Sequence, residues 1–385
     1  MYKKYYSHFL TANPHIQHYA SHSHHYWPDV TREATLQYWD DSAKFVDDKW
    51  DHIFGVKIPN VQKLIAEVLN LSHPEQIVFA PNTHELVYRL MSCFDPRKPI
   101  SILTTDSEFY SFDRQVNRLA EEKIVNVEKV STQPFDNFEK NFIEKINNNH
   151  YDMIFLSQVF FNSGMVLKNL KKIIESVKNP ETMIVVDGYH GFMAIPTDLK
   201  ELEDRIFYLA GSYKYAQGGE GCCFLVSPKN SQHRPLYTGW FAGFTNLATD
   251  GGNTGYSEDG YRFAGSTMDF AALYRLEAVL SLFKKDGVTV EKIHAHIQKL
   301  QKNFRNHLLE IDHHYLTEKN ILSVSYDCHG HFLTFAMPSP EHTKALHDEL
   351  RAINIHTDYR GSRLRFGFGI YQNDCIDLRA LVKPL

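Results

Sequence analysis

The chain has 385 residues, of which 43% are hydrophobic and 23% charged, and a formal net charge of −5. That length can bury a core large enough for two structural lobes, and the mildly acidic balance gives no reason to expect nucleic acid or an anionic membrane as partner. No apolar run reaches the roughly 20 residues that span a bilayer, and the start, MYKKYYSHFLTANPH, has two lysines but no apolar stretch behind them, so it does not read as a signal peptide.

Five cysteines, two of them adjacent as Cys222-Cys223, fit reduced thiols packed as small apolar groups. Neighbouring strand residues point to opposite faces and do not bridge. A cytoplasmic location is expected. Residues 16–27, IQHYASHSHHYW, read as extended, with His22 and His24 on one face and Ser23 and His25 on the other. Metal binding is one reading of this segment, but no further ligand at helical or finger spacing is nearby, and no metal is expected. Pro28-Asp29 starts a helix with Trp39, Ala43, Val46 and Trp50 spaced as one buried stripe. A second amphipathic helix shows Val61, Leu64, Ile65, Val68 and Leu69.

A strand–turn–helix unit follows. Gln76 to Ala80 is the strand, and the helix carries Leu86, Val87, Leu90 and Met91 on one face. Thr83 and His84 fall in its first turn, where free N–H groups and the helix dipole attract an anion; a plain N-cap at Asn82 or Thr83 is the alternative. Strands are expected over 101–104, 124–130 and 153–157, with an amphipathic helix over 135–149. Met183 to Val186 then delivers Asp187, and Ile206 to Ala210 delivers Lys214 just beyond its end. Gly218, Gly219 and Gly221 turn the chain into Cys222 to Val226, expected to pair antiparallel with the strand before it.

Runs apolar on both faces, alternating with helices, argue an α/β fold with a doubly wound, mainly parallel sheet. Ligands in such sheets collect at strand ends, where Asp187 and Lys214 both belong. No Gly-x-Gly-x-x-Gly opens a helix after a strand, and Gly218 to Gly221 has no Lys-Ser/Thr behind it, so dinucleotide and P-loop readings lack their phosphate turns. Residues 250–259 read as a loop or lid. Two helices through about 310 lead to strands over 321–325 and 331–336 and a helix over 341–353. Arg363 to Phe368 alternates, which puts Arg363 and Arg365 on one face. A planar guanidinium suits a carboxylate.

Asp187-Gly188-Tyr189-His190 and Ser212-Tyr213-Lys214-Tyr215, followed by glycines, resemble the kynureninase-like branch of the class V aminotransferase family. The resemblance covers about residues 60–372. It implies a fold-type I enzyme dependent on pyridoxal 5'-phosphate (PLP): a large PLP-binding domain over 56–270, a smaller C-terminal α/β domain over 271–385, an N-terminal segment over 1–55 that lines the site, and a homodimer sharing two sites. It puts a Schiff base with the cofactor on Lys214, the pyridine nitrogen contact on Asp187, and His190 as a catalytic residue orienting Asp187 or the ring. Asn82, Thr83, His84 and Tyr213 would hold the phosphate, with Trp240 and Ser266 reaching it from the partner subunit; a helix cap is the alternative for Ser266. Phe109 would cover the ring. Phe161 stands where aminotransferases carry an Asn and kynureninases an aromatic; Gln158 and Asn162 are further polar candidates. Arg365 would take the substrate carboxylate, and Ser23 and His24 would line the substrate pocket. The 21–25 string departs from the Asn-Ser-Leu-Gly of kynureninases, which argues against kynurenine itself.

The expected function is that of a class V aminotransferase-like enzyme on an amino-acid substrate. Kynureninase-type Cβ–Cγ hydrolysis and β-elimination remain open beside transamination. Desulfuration ranks behind them, since no cysteine stands out as a persulfide carrier. A non-catalytic PLP-fold protein and a histidine-rich metal protein are the remoter readings.

Overall fold

The structure is a computed structural model, and it describes residues 2–244, 253–311, 313–322, 328–372, 376 and 378. Its strands in chain order are β1 (Gln17–His18), β2 (Ile77–Ala80), β3 (Ile100–Thr105), β4 (Val125–Val130), β5 (Met153–Ser157), β6 (Met183–Asp187), β7 (Phe207–Gly211), β8 (Cys223–Val226), β9 (Phe332–Ala336), β10 (Ile355–His356), β11 (Asp358–Arg360) and β12 (Arg363–Gly367).

Seven of them form one sheet in the order β2-β8-β7-β6-β5-β3-β4. The neighbours β7, β6, β5, β3 and β4 pair parallel, while β8 runs antiparallel to both β7 and β2. The reason is in the residues. Every position of β5 and β7 is buried, and strands covered on both faces need helical crossovers to continue in parallel. The helices Thr83–Met91, Tyr110–Glu121, Phe135–Asn148 and Leu170–Ser176 supply that cover. The glycine turn after Lys214 is too short for a crossover, so β8 reverses beside β7, as expected. Between β3 and β5 the strand order changes direction, and such a switch point opens a crevice at the strands' carboxyl ends. The candidate site lies there.

A smaller antiparallel sheet, β11-β12-β9, follows in the C-terminal part. β1 joins β10 in parallel, with Gln17 opposite Ile355 and His18 opposite His356, so the N-terminal segment is stitched to the C-terminal one. The helices Ala271–Lys285 and Val290–Glu310 lie between. The strand expected over 321–325 is represented by Ile321, which bridges to Phe335; residues 323–325 lie outside the described residues. Of the loop read over 250–259, residues 250–252 also lie outside them, and 253–259 form neither helix nor strand.

One stripe is corrected. The helix Val30–Phe45 buries Thr31, Ala34 and Asp41, whereas Trp39 is 69% exposed and Ala43 and Val46 also face outward. A buried carboxylate overrides the apolar pattern. Asp41 turns inward because the Tyr274 hydroxyl (2.9 Å) and the Gln37 amide (2.6 Å) satisfy it, and Tyr38 packs edge-on against Tyr274 on the same face. The helix ends at Val46, whose φ of 49° leaves the right-handed region. The second helix, Ile58–Leu69, buries Val61, Ile65 and Leu69, with Leu64 and Val68 half-buried against the core.

At the centre of the sheet Phe155 of β5 lies flat on Phe112, with ring centroids 3.7 Å apart and planes within 9°. Both are buried. Phe155→Ala should therefore cost about 3–5 kcal/mol of stability, read as a shifted denaturant midpoint at unchanged slope.

Candidate active site

Four strand ends meet in one cavity of about 210 Å³. β6 ends in Asp187, which lines the cavity floor. The backbone N–H of Tyr189 donates to its Oδ1 at 2.8 Å. Burial raises the carboxyl's pKa, and the charge of Lys214 acts the other way. Just beyond β7, Lys214 is 5% exposed, and its Nζ is hydrogen-bonded to His190 Nε2 at 2.7 Å. The rings of Tyr189, Phe109 and Tyr213 surround the amine at 4.8, 5.4 and 5.7 Å. Desolvation holds Lys214 down to about 7, against the pull of Asp187, and it holds His190 well below its ordinary range. His190 therefore meets the lysine and not Asp187, and its Nδ1 is buried without a hydrogen-bond partner.

From β2 the chain passes Pro81 into the helix Thr83–Met91. Asn82 is its N-cap, with its side chain accepting from Glu85 N–H at 2.9 Å. Asn82, Thr83 and His84 all line the cavity, so the helix's positive end faces it. His84 Nδ1 lies 3.2 Å from Ser111 Oγ on the far lip. Tyr213 closes the same end, and Phe109 stands over the opposite side, edge-on to Phe161 at 5.2 Å. A helix N-terminus, a carboxyl, an amine and an aromatic ring thus line one cavity.

Other expected residues lie elsewhere. The segment expected to be extended makes a turn at Ala20, whose carbonyl accepts from Ser23 N–H (2.9 Å) and His24 N–H (3.0 Å). The turn breaks the alternation: Ser21, His22 and His25 are buried, while His24 points out to Glu220 at 3.3 Å. Ser23 and His24 do not line the cavity, and among the described residues no three His, Cys, Asp or Glu side chains gather as a metal site. Gln158 and Asn162 also lie off the cavity wall, engaged with Thr197 (2.8 Å) and Ser107 (2.8 Å). Trp240 is 38% exposed in the short helix Trp240–Gly243, and exposed Ser266 adjoins it through the Phe241 N–H to Gly265 carbonyl bond of 3.2 Å. Neither reaches this chain's own cavity. Ser266 is not a helix cap, because the next helix starts at Ala271 and Asp269 accepts from its N–H at 2.8 Å.

Arg363 and Arg365 share a face as the alternation requires, donating to the carbonyls of Asn162 (3.0 Å) and Phe161 (2.9 Å). Arg365 is buried behind Phe161 and paired with Asp358, its partner across the β11–β12 ladder. Sequence reasoning missed that pairing, and it missed Glu108. The Glu108 carboxyl is buried beneath the floor, accepting from Thr105 Oγ1 (2.7 Å), Ser157 N–H (3.2 Å) and Ser157 Oγ. Burial and nearby Asp187 push it up to about 7. Its signal was a carboxylate, beside Asp106, in the short turn between a buried strand and the aromatic at 109.

The profile of the class V aminotransferases matches residues 28–359. The chain belongs to that family, whose enzymes depend on PLP. No curated protein matches the sequence. Among solved structures, a lysine-to-alanine mutant of C-DES with glycine covalently linked to its PLP cofactor is 19% identical, with a TM-score of 0.81 over 95% of both chains. The complex of the cystine C–S lyase C-DES with its product cysteine persulfide, also 19% identical, has a TM-score of 0.77 over 94% of this chain and 95% of that one. The apo cysteine desulfurase of Thermococcus onnurineus NA1 is 18% identical, with a TM-score of 0.75 over 97% and 93%. These likenesses bear on the fold, which is that of fold-type I PLP enzymes. The residues present fit the cofactor: a dehydrated amine, an imidazole with an unpaired nitrogen beside it, a helix end for the phosphate and a carboxylate across the floor.

A lysine reacts with an aldehyde as its free amine. Capture of PLP by the apoprotein, followed by absorbance, should therefore accelerate with a midpoint near the Lys214 value of about 7 and not near the ordinary 10.5. A midpoint at the ordinary lysine value would contradict the desolvated site.

Proposed function

We propose that this PLP-dependent enzyme removes the α-proton of a small amino acid and expels a leaving group from its β-carbon, a lyase reaction. The cavity carries this reading. At about 210 Å³ it is small beside the roughly 300–1,000 Å³ of sites for drug-sized ligands. A cavity of this size supports a substrate with a short side chain over one carrying an aryl ketone. The C–S lyase and desulfurases of similar fold support the same chemistry.

PLP, when bound, supplies an electron sink for the charge left on the α-carbon. The chain's residues do the rest. Asp187 would hold the pyridine nitrogen, Phe109 would cover the ring, and Thr83, His84 and Tyr213 with the capped helix end at Asn82 would hold the phosphate. Lys214 would hold the cofactor through Nζ, and the same nitrogen, as a free amine, would take the substrate's α-proton. A value near neutrality suits it to that step. His190 Nε2 orients the amine. Arg365 receives the carboxylate. Among the described residues Cys223 is the cysteine on the cavity wall, and burial pushes its thiol up to about 12, so no thiolate stands ready to relay sulfur.

Hydrolytic Cβ–Cγ cleavage is the second reading, favoured by His190 three residues after Asp187. We further propose a homodimer in which Trp240 and Ser266 complete the partner's phosphate site. Their exposure and their distance from this chain's own cavity support it. Residues 56–270 would carry the cofactor, with 271–385 and the stitched-on segment 1–55 closing over it.

The purified protein loaded with PLP should absorb in the visible, and Lys214→Ala should lose that band. Incubation with β-substituted alanines, cystine among them, should give pyruvate. Kynurenine yielding alanine and an aryl acid would favour the second reading, and a wild type that stays colourless after soaking in PLP would sink both.

A further inference from the structure

The arginine expected to take the substrate carboxylate already holds one. Arg365 Nη2 donates to Asp358 Oδ2, and its Nη1 to the Phe161 carbonyl at 2.9 Å. Its guanidinium lies between the rings of Phe161 (4.8 Å) and Phe332 (5.9 Å). An incoming amino acid therefore meets an occupied cation.

Three observations separate this from an ordinary structural ion pair. First, the surroundings are left unsatisfied. Arg365 Nε and His22 Nδ1 are buried without a hydrogen-bond partner, while His22 Nε2 stands 3.3 Å from Asp358 Oδ2. Buried donors without partners are costly, and in a functional cleft they mark groups that a ligand completes. Second, Asp358 has another place to go. Its Oδ1 already accepts from Arg360 Nη1 at 2.7 Å, and Arg360, two residues along β11, is 46% exposed in its side chain against 2% for Arg365. Turning outward keeps the carboxylate paired and hydrated. Third, Arg365 stands directly behind Phe161, a cavity wall residue, and its charge lowers the proton affinity of both Lys214 and His190.

We propose that Asp358 is a tethered stand-in for the substrate carboxylate, held on Arg365 and His22 until an amino acid displaces it onto Arg360. This rests on the amino-acid reading above and adds a specificity-determining residue to it. The stand-in keeps the arginine neutralised while the site is empty and makes every carboxylate compete for it. Amines without a carboxylate face no such competition. The site's preference for amino acids over amines is thus set by how tightly Asp358 holds.

The test is binding to the PLP-loaded protein, read as the shift of its visible band during titration with L-alanine and, separately, with ethylamine. Apparent affinity scales with the fraction of sites whose arginine is free, so Asp358→Asn should tighten alanine binding about tenfold or more, with ethylamine unchanged. Arg360→Ala removes the outward resting place and should weaken alanine binding while sparing ethylamine. It also leaves the buried pair intact, and so serves if Asp358→Asn fails to fold. Unchanged or weaker alanine binding in Asp358→Asn, or unchanged alanine binding in Arg360→Ala, overturns the proposal alone. A coloured protein whose band alanine never moves, in wild type or variant, overturns it together with the amino-acid reading.

Discussion

The site depends on keeping water from one amine. A buried ammonium is among the costlier groups a fold can hold, and Lys214 is buried with an imidazole, not a carboxylate, as its hydrogen-bond partner. Its charge is disfavoured by what surrounds it: Tyr189, Tyr213 and Phe109 around the amine, with β8 closing the side. The glycine turn behind Lys214 serves the same end. It has to return the chain beside β7 within a few residues, and Gly219 and Gly221 adopt φ of 72° and 103° to do so.

Two carboxyls share the floor, and their environments differ. Asp187 faces the cavity and holds one backbone N–H, whereas Glu108 lies beneath it in a net of three donors from Thr105 and Ser157. Ser157 is also the ladder partner of Asp187 across β5 and β6. The charge of Asp187 adds to burial in favouring the protonated form of Glu108. Burial and the nearby Asp187 push Glu108 up to about 7, while Asp187, also raised by burial, is the member that lines the cavity.

Much of this was legible in the residues. Fully apolar runs placed β5, β6 and β7, and the position of Asp187 and Lys214 at strand ends follows from those runs alone. The shared face of Arg363 and Arg365 follows from period-two alternation. What escaped had two physical causes. Alternation presupposes extended backbone, so the turn at Ala20 inverted the reading of 21–25 and hid His22. Partners that only the fold brings together leave no local trace: Asp41 finds Tyr274 and Glu108 finds Ser157 across long stretches of chain, and Asp358 reaches Arg365 only once a hairpin sets their register.

The placement of β8 has a consequence for how the site comes together. β2 is an edge strand whose neighbour in the large sheet is β8, which in turn pairs with β7. The helix end at Thr83 and the amine at Lys214 are therefore joined through a long-range pairing that carries a heavy loop-closure cost. A ligand that reaches from Thr83 to Lys214 spans that seam, and so acts as a cross-link between the sheet's edge and its centre.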